Sequence, residues 1–99
     1  MEFTTTVNGS EMTIALRGRL DTETSPRFEQ EVVPALADIS SIVFDFEGLE
    51  YISSSGLRVL LALKKMMMAK GGDVSVVNVS EGVLSIFKIS GFDIILNVR

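Results

Sequence analysis

The sequence predicts an α/β domain on a mixed, mostly parallel sheet, with an antiparallel hairpin strand at its N-terminal end and the order β-β-α-β-α-β-α-β. Three observations carry that expectation. Two runs of alternating apolar and polar residues flank an Asn-Gly dipeptide near the start. Beyond them, short β-branched segments alternate with stretches whose apolar residues recur at helical spacing, the pattern of strand–helix–strand units with right-handed crossovers. No linker, repeat or low-complexity stretch interrupts the 99 residues, so one domain over 1–99 with one core is expected.

Each element has its local reason. Phe3, Thr5 and Val7 alternate with Thr4 and Thr6, and after Asn8-Gly9 the run Met12, Ile14, Leu16 alternates with Thr13, Ala15 and Arg17. This is a hairpin signature. In "LDTETSPRFE", Ser25 is placed to cap the first helix, with Pro26 at the first helical position, where a missing N–H costs nothing. Phe28, Val32 and Leu36 give that helix an apolar stripe, and Pro34 should kink or end it near Val33. "SIVFDF" (41–46) reads as a strand buried on both faces. A leucine-rich helix is expected over 56–69, stopped by Gly71-Gly72. "DVSVVNV" (73–79) is a further strand, Ser80 caps a short helix through Ile89 that Gly91 closes, and "FDIILNV" (92–98) is the last strand.

Composition removes many function classes. The chain is 46% hydrophobic and 22% charged, which describes a globular protein, and no apolar run approaches the roughly 20 residues of a membrane span. "MEFTTTVNGS" has an early acid and no basic stretch, unlike a signal peptide. Cysteine is absent, which excludes disulfides and thiolate metal sites and fits a cytoplasmic protein. Histidine is absent too, so a Ser-His-Asp triad cannot be built and zinc catalysis has no soft ligands. The net charge of -4 is uneven: residues 1–50 hold ten acids and three bases, residues 51–99 three acids and six bases. With no basic cluster the chain is a poor nucleic-acid binder, and a protein partner is the natural expectation.

The segment "YISSSGLRVL" raises the functional question. Ser53, Ser54 and Ser55 fall between a strand and a helix, where function collects in such sheets. Serines at a helix start satisfy orphan N–H groups, so Ser53 or Ser54 can be a plain N-cap. A helix N-terminus also tolerates an anion, and a phosphate on a serine there would add a charge of about -1.5 to -2 to an uncharged surface without opposing the fold. "ISSSG" lacks the first glycine of a nucleophile elbow, and neither G-x-x-x-x-G-K-[ST] nor G-x-G-x-x-G occurs, so hydrolase and nucleotide-binding readings have no support, and no cofactor is expected.

"IVFDFEGLEYISSSGLRVLLALKKMMMAKGGDVSVVNVS", together with "LRGRLDTETSPRFE", closely resembles the bacterial anti-sigma factor antagonists, the small single-domain STAS proteins. The resemblance runs from Phe3 to the last strand. It implies a STAS-type sheet and a partner switch. The unphosphorylated antagonist binds an anti-sigma factor that is itself a GHKL-type serine kinase, which frees a sigma factor. Phosphorylation by that kinase releases the antagonist, and a PP2C-type phosphatase resets the cycle. Matched residue by residue, the phosphoacceptor is Ser54, and the docking surface comprises Asp21, Ser53, Ser55, Gly56, Leu57 and Arg58. The implied protein is a cytoplasmic regulatory domain and a kinase substrate, not an enzyme, with neither nucleic acid nor membrane as partner.

The chain also departs from the family pattern. Glu47 replaces a common Ser or Thr and brings a carboxylate near the serine segment together with Glu50, Ser53 stands where many relatives carry Asp, and Ser53 and Ser55 offer two further hydroxyls beside Ser54. The rival reading is a constitutive STAS scaffold, an accessory subunit of a transporter or stress-sensing assembly, in which the serines only cap a helix. Of the other features, Met66 to Met68 are expected to fill the core with one methionine outside. Lys64, Lys65 and Lys70 are expected to complement the helix dipole. Arg58 reads first as a solvated charge that could attract an acidic partner or a neighbouring phosphate.

Overall fold

The computed structural model describes residues Met1–Arg99. Five strands form one sheet in the order β1-β2-β3-β4-β5: β1 (Glu2–Asn8), β2 (Glu11–Leu20), β3 (Ser41–Ile52), β4 (Val74–Val77) and β5 (Asn97–Val98). β1 and β2 are antiparallel, and all other pairings are parallel. The hairpin turns at Gly9 and Ser10, with φ +65° at Gly9 and Asn8 paired with Glu11. The helices are α1 (Thr24–Val32), α2 (Ser54–Ala69), α3 (Glu81–Ser90) and the single turn α4 (Phe92–Ile95).

The core lies on one face of the sheet. Met12, Ile14 and Leu16 of β2 and Ile42, Phe44 and Phe46 of β3 are buried at alternating positions, while Ser41, Val43 and Asp45 are only half-buried. The expectation that 41–46 is buried on both faces is thus corrected. Phe44 and Phe46 point to the same face, and Phe28 of α1 and Phe87 of α3 meet them at ring-centroid distances of 6.4 and 6.2 Å. These helices therefore cover one side only, and β3 alternates as a half-covered strand does. Leu60, Leu63 and Met67 of α2 complete the core, with Met66 half-buried and Met68 exposed.

Four further expectations are corrected. Ser25 does not cap α1. Its hydroxyl is buried without a partner, and the Asp21 carboxylate accepts instead from the Glu23 and Thr24 N–H groups at 3.0 and 3.1 Å. Pro26 is consequently the third helical residue, still inside the first turn, where its missing N–H has no intrahelical acceptor. Pro34 does end α1, and a 3-10 turn over Val33–Leu36 follows. β3 continues six residues beyond Phe46, to Ile52, because two bulges slip its register against β2 and keep it paired through Glu47–Ile52. The stretch 92–98 is mostly not strand: Gly91, at φ +81°, starts the turn α4, and only Asn97 and Val98 pair with β4. Finally, Lys70 does not serve its own helix dipole. Its ammonium donates to the carbonyls of Leu36 at 2.6 Å and Ile39 at 2.9 Å, closing the 3-10 turn.

Candidate functional site

The parallel pairing of β2 and β3 builds the site. Arg19 pairs with Tyr51 and Leu20 with Ile52, so the two strands end side by side and hand their next residues, Asp21 and Ser53, to one edge of the molecule. The Ser53 N–H continues the pairing by donating to the Leu20 carbonyl at 2.9 Å. Gly56 sits beneath. A methyl group there would come within 2.7 Å of Ile52 Cγ1 and 2.8 Å of the Leu20 carbonyl oxygen, so the first turn of α2 can rest on the strand ends only with glycine at that position.

The three serines occupy three different environments. Ser53 is the N-cap of α2: it is extended at φ -94°, ψ 175°, and its Oγ accepts from the Gly56 N–H at 3.3 Å. Ser54 is the first helical residue, and it alone of the three is exposed. Ser55 is half-buried and lines a cleft between α1 and α2 with Ser25, Glu29 and Arg58. Gly56 and Leu57 are buried behind this surface, and Arg58 is exposed.

Asp21 is held in place by the turn it makes. Its N–H donates to Thr24 Oγ1 at 2.9 Å, and its carboxylate accepts from the Glu23 and Thr24 N–H groups. The Thr24 N–H and hydroxyl, the Glu23 N–H and the Arg19 guanidinium all favour the anion, and the Asp21 pKa is lowered from 3.8. Arg19 in turn lies over the Tyr51 ring, its Cζ 4.4 Å from the centroid, with Nε 4.0 Å from Asp21 Oδ2. This file of Asp21, Arg19 and Tyr51 runs along the strand ends beside the serines. Glu47 and Glu50 are exposed on β3.

Sequence reasoning missed the apolar half of the site. A groove of about 280 Å³ opens beside Ser54, lined by Tyr51, Ile52, Ser53, Leu57, Ile86 and Ile89, with Ser90 at its end. Ile89 is 89% exposed, so α3 presents a bare aliphatic side chain across the groove from the middle serine. The signal was present in "IFKIS", where Ile89 lies off the stripe of Val83, Ile86 and Phe87, but only the fold brings α3 beside α2. Arg19 and Tyr51 were likewise missed, because their contact depends on the β2–β3 register.

No grouping of acidic residues suited to a metal ion occurs in the molecule. No helix is long and apolar enough to cross a membrane.

The chain is 31% identical over 80 residues to an anti-sigma F factor antagonist of Paenibacillus polymyxa, covering 79% of this chain and 68% of that one. It is 24% identical over 91 residues to the anti-sigma-B factor antagonist of Bacillus subtilis (strain 168), covering 92% and 84%. The fold matches the Bacillus cell fate determinant SpoIIAA in its phosphorylated form, with a TM-score of 0.76 at 23% identity over 99% of this chain and 91% of that one. The family model for the STAS domain matches residues 2–99, and the chain belongs to the STAS domain family.

Proposed function

We propose that the chain is an anti-sigma factor antagonist working by partner switching, with Ser54 as the residue that is written on. The observation that carries this reading is the division of labour among the serines. Ser53 caps α2 and Ser55 lines a cleft, whereas the Ser54 hydroxyl is exposed and makes no hydrogen bond to the rest of the chain. The similarity to two anti-sigma factor antagonists supports the choice of function.

In this reading the unphosphorylated face, formed by Asp21, Ser53, Ser54, Ser55, Arg58 and the adjoining groove, with Gly56 and Leu57 buried as its support, docks on an anti-sigma factor and so frees a sigma factor. The anti-sigma factor is a serine kinase of GHKL type. The Ser54 oxygen attacks the γ-phosphorus of ATP held by that kinase, the bond to ADP breaks, and a kinase base takes the hydroxyl proton. The chain contributes an accessible hydroxyl and no catalytic group. The product carries about two negative charges at the edge of an apolar groove, where docking would have to desolvate them. A PP2C-type phosphatase then returns serine and inorganic phosphate by hydrolysis. The switch is cytoplasmic, where kinase, phosphatase and sigma factor meet.

The test is the intact mass of the chain recovered from its native cells during growth, starvation and stress, with phosphopeptide mapping across Glu47 to Arg58. One phosphate on Ser54 in a condition-dependent fraction is the expected result. A chain unmodified under all three conditions overturns the switch and leaves a constitutive scaffold with a serine-capped helix.

A further inference from the structure

We propose that Arg58 is the phosphate-binding residue of this switch: once Ser54 is phosphorylated, the Arg58 guanidinium pairs with the phosphate one helical turn away. Phosphorylation then does two things to the docking face, adding an anion and withdrawing a cation. The proposal rests on Ser54 as the phosphoacceptor.

Ser54 and Arg58 are i and i+4 on α2 and both are exposed. At that spacing Cβ atoms are about 5–6 Å apart. Helical side chains lean toward the N-terminus, so a guanidinium on Arg58, which borders the cleft between α1 and α2, has the first turn and Ser54 within its reach.

Most other cations are already engaged. Arg17 meets Glu2 at 3.3 Å and Arg27 meets Glu31 at 3.0 Å. Arg19 lies over Tyr51, Lys64 pairs with Asp73, and Lys70 binds the carbonyls of Leu36 and Ile39. Arg58 has no carboxylate within 4.0 Å, although Glu29 of α1 borders the same cleft. Its own helix offers it nothing, since the first turn of α2 carries no acid and the dipole there is positive.

A phosphate on Ser54 changes that balance. It is a near-dianion with three acceptor oxygens, and guanidinium binds such groups through two parallel hydrogen bonds. Glu29 is a monoanion on another element, so a phosphate on the same helix face is the stronger partner. In the unphosphorylated state Arg58 stays available to an acidic group on the docking partner.

The experiment installs phosphoserine at position 54 of the full chain by encoded incorporation and follows the phosphorus resonance by NMR from pH 4 to 8 at low salt. The parent, Arg58→Ala, Arg58→Lys and Lys65→Ala are compared. The second ionisation of phosphoserine ordinarily lies at about 6. The expected result is a midpoint about half a pH unit higher in Arg58→Ala than in the parent, a smaller rise in Arg58→Lys, and none in Lys65→Ala. The difference should shrink in 1 M salt, as a screened exposed pair requires. A parent and an Arg58→Ala chain that titrate together overturn the proposal, since the helix end alone would then set the midpoint. An equal rise in Lys65→Ala overturns it as well, showing a general field in place of a pair. Because the phosphate is installed, the result is independent of whether cells phosphorylate Ser54, which the mass mapping decides separately.

Discussion

Replacing Ser53 and Ser54 one at a time by alanine separates capping from signalling. Ser53 Oγ accepts the Gly56 N–H at 3.3 Å, the long end of the hydrogen-bond range. Cap losses span about 0.5–2 kcal/mol, so a bond this long belongs in the lower half, near 0.5–1 kcal/mol. For a domain of this size that is roughly 2–8 °C in Tm. Ser54 makes no hydrogen bond through its hydroxyl and is exposed, and alanine suits the first helical turn, so Ser54→Ala should stay within about 0.5 kcal/mol of the parent. Urea unfolding followed by circular dichroism measures both. The phosphorylation readout should run the opposite way, abolished in Ser54→Ala and retained in Ser53→Ala. If Ser54→Ala loses as much stability as Ser53→Ala, the assignment of one serine to the cap and the other to the surface is wrong.

Three other outcomes follow from the geometry. Lys70→Met removes the donor that holds the carbonyls of Leu36 and Ile39, and should cost about 1–3 kcal/mol in urea unfolding although Lys70 is distant in sequence from the turn it closes. Ile89→Lys should leave Tm unchanged, because the residue is 89% exposed, while weakening capture of the anti-sigma factor about tenfold in a pull-down or calorimetric titration. The pKa of Asp73 is lowered from 3.8, first by its bond from Lys64 and then by the Val74 N–H. A carboxylate whose folded pKa is depressed adds stability that is complete above its unfolded value and lost as pH falls through the folded one. Asp73→Asn should therefore be less stable than the parent at pH 6, and the gap should close as pH drops below 3.8, as urea midpoints across pH 2–6 will show.

Much of this was legible in the sequence, for physical reasons that differ from residue to residue. The hairpin and the Ser80 cap, whose Oγ accepts the Val83 N–H at 3.2 Å, are local devices that act within a few residues. What failed was partly non-local and partly a choice between competing local devices. The β3 extension to Ile52 depends on bulges that exist only against β2. α1 is held by Asp21 because the carboxylate reaches two N–H groups in its turn, while Ser25 is drawn into the interior by packing. The "FDII" stretch looked like strand from its apolar run, yet Gly91 in the left-handed region redirects the chain into a helical turn before β5. Within the candidate site, the serines and Asp21 were readable from their motifs. The aliphatic wall from α3 was not, since no local pattern tells which helix will lie beside which.

The same placement explains how a modification could act without unfolding the domain. The first turn of α2 rests on Gly56, packed against Ile52 and Leu20, and is closed by the bond from the Gly56 N–H to Ser53 Oγ. The packing contacts of Gly56, Ile52 and Leu20 that support the turn are buried, and Ser54 is exposed. A phosphate added there meets the positive end of α2 and a guanidinium one turn along, so the carrier domain tolerates the charge. A partner that had to bury Ser54 beside Ile86 and Ile89 meets the same charge without those compensations, and the cost falls on the complex alone. That asymmetry is what the proposed partner switch requires: the free energy of the modification must differ between the bound and free states, and on that proposal a phosphate on one exposed hydroxyl at the edge of an apolar groove would supply the difference.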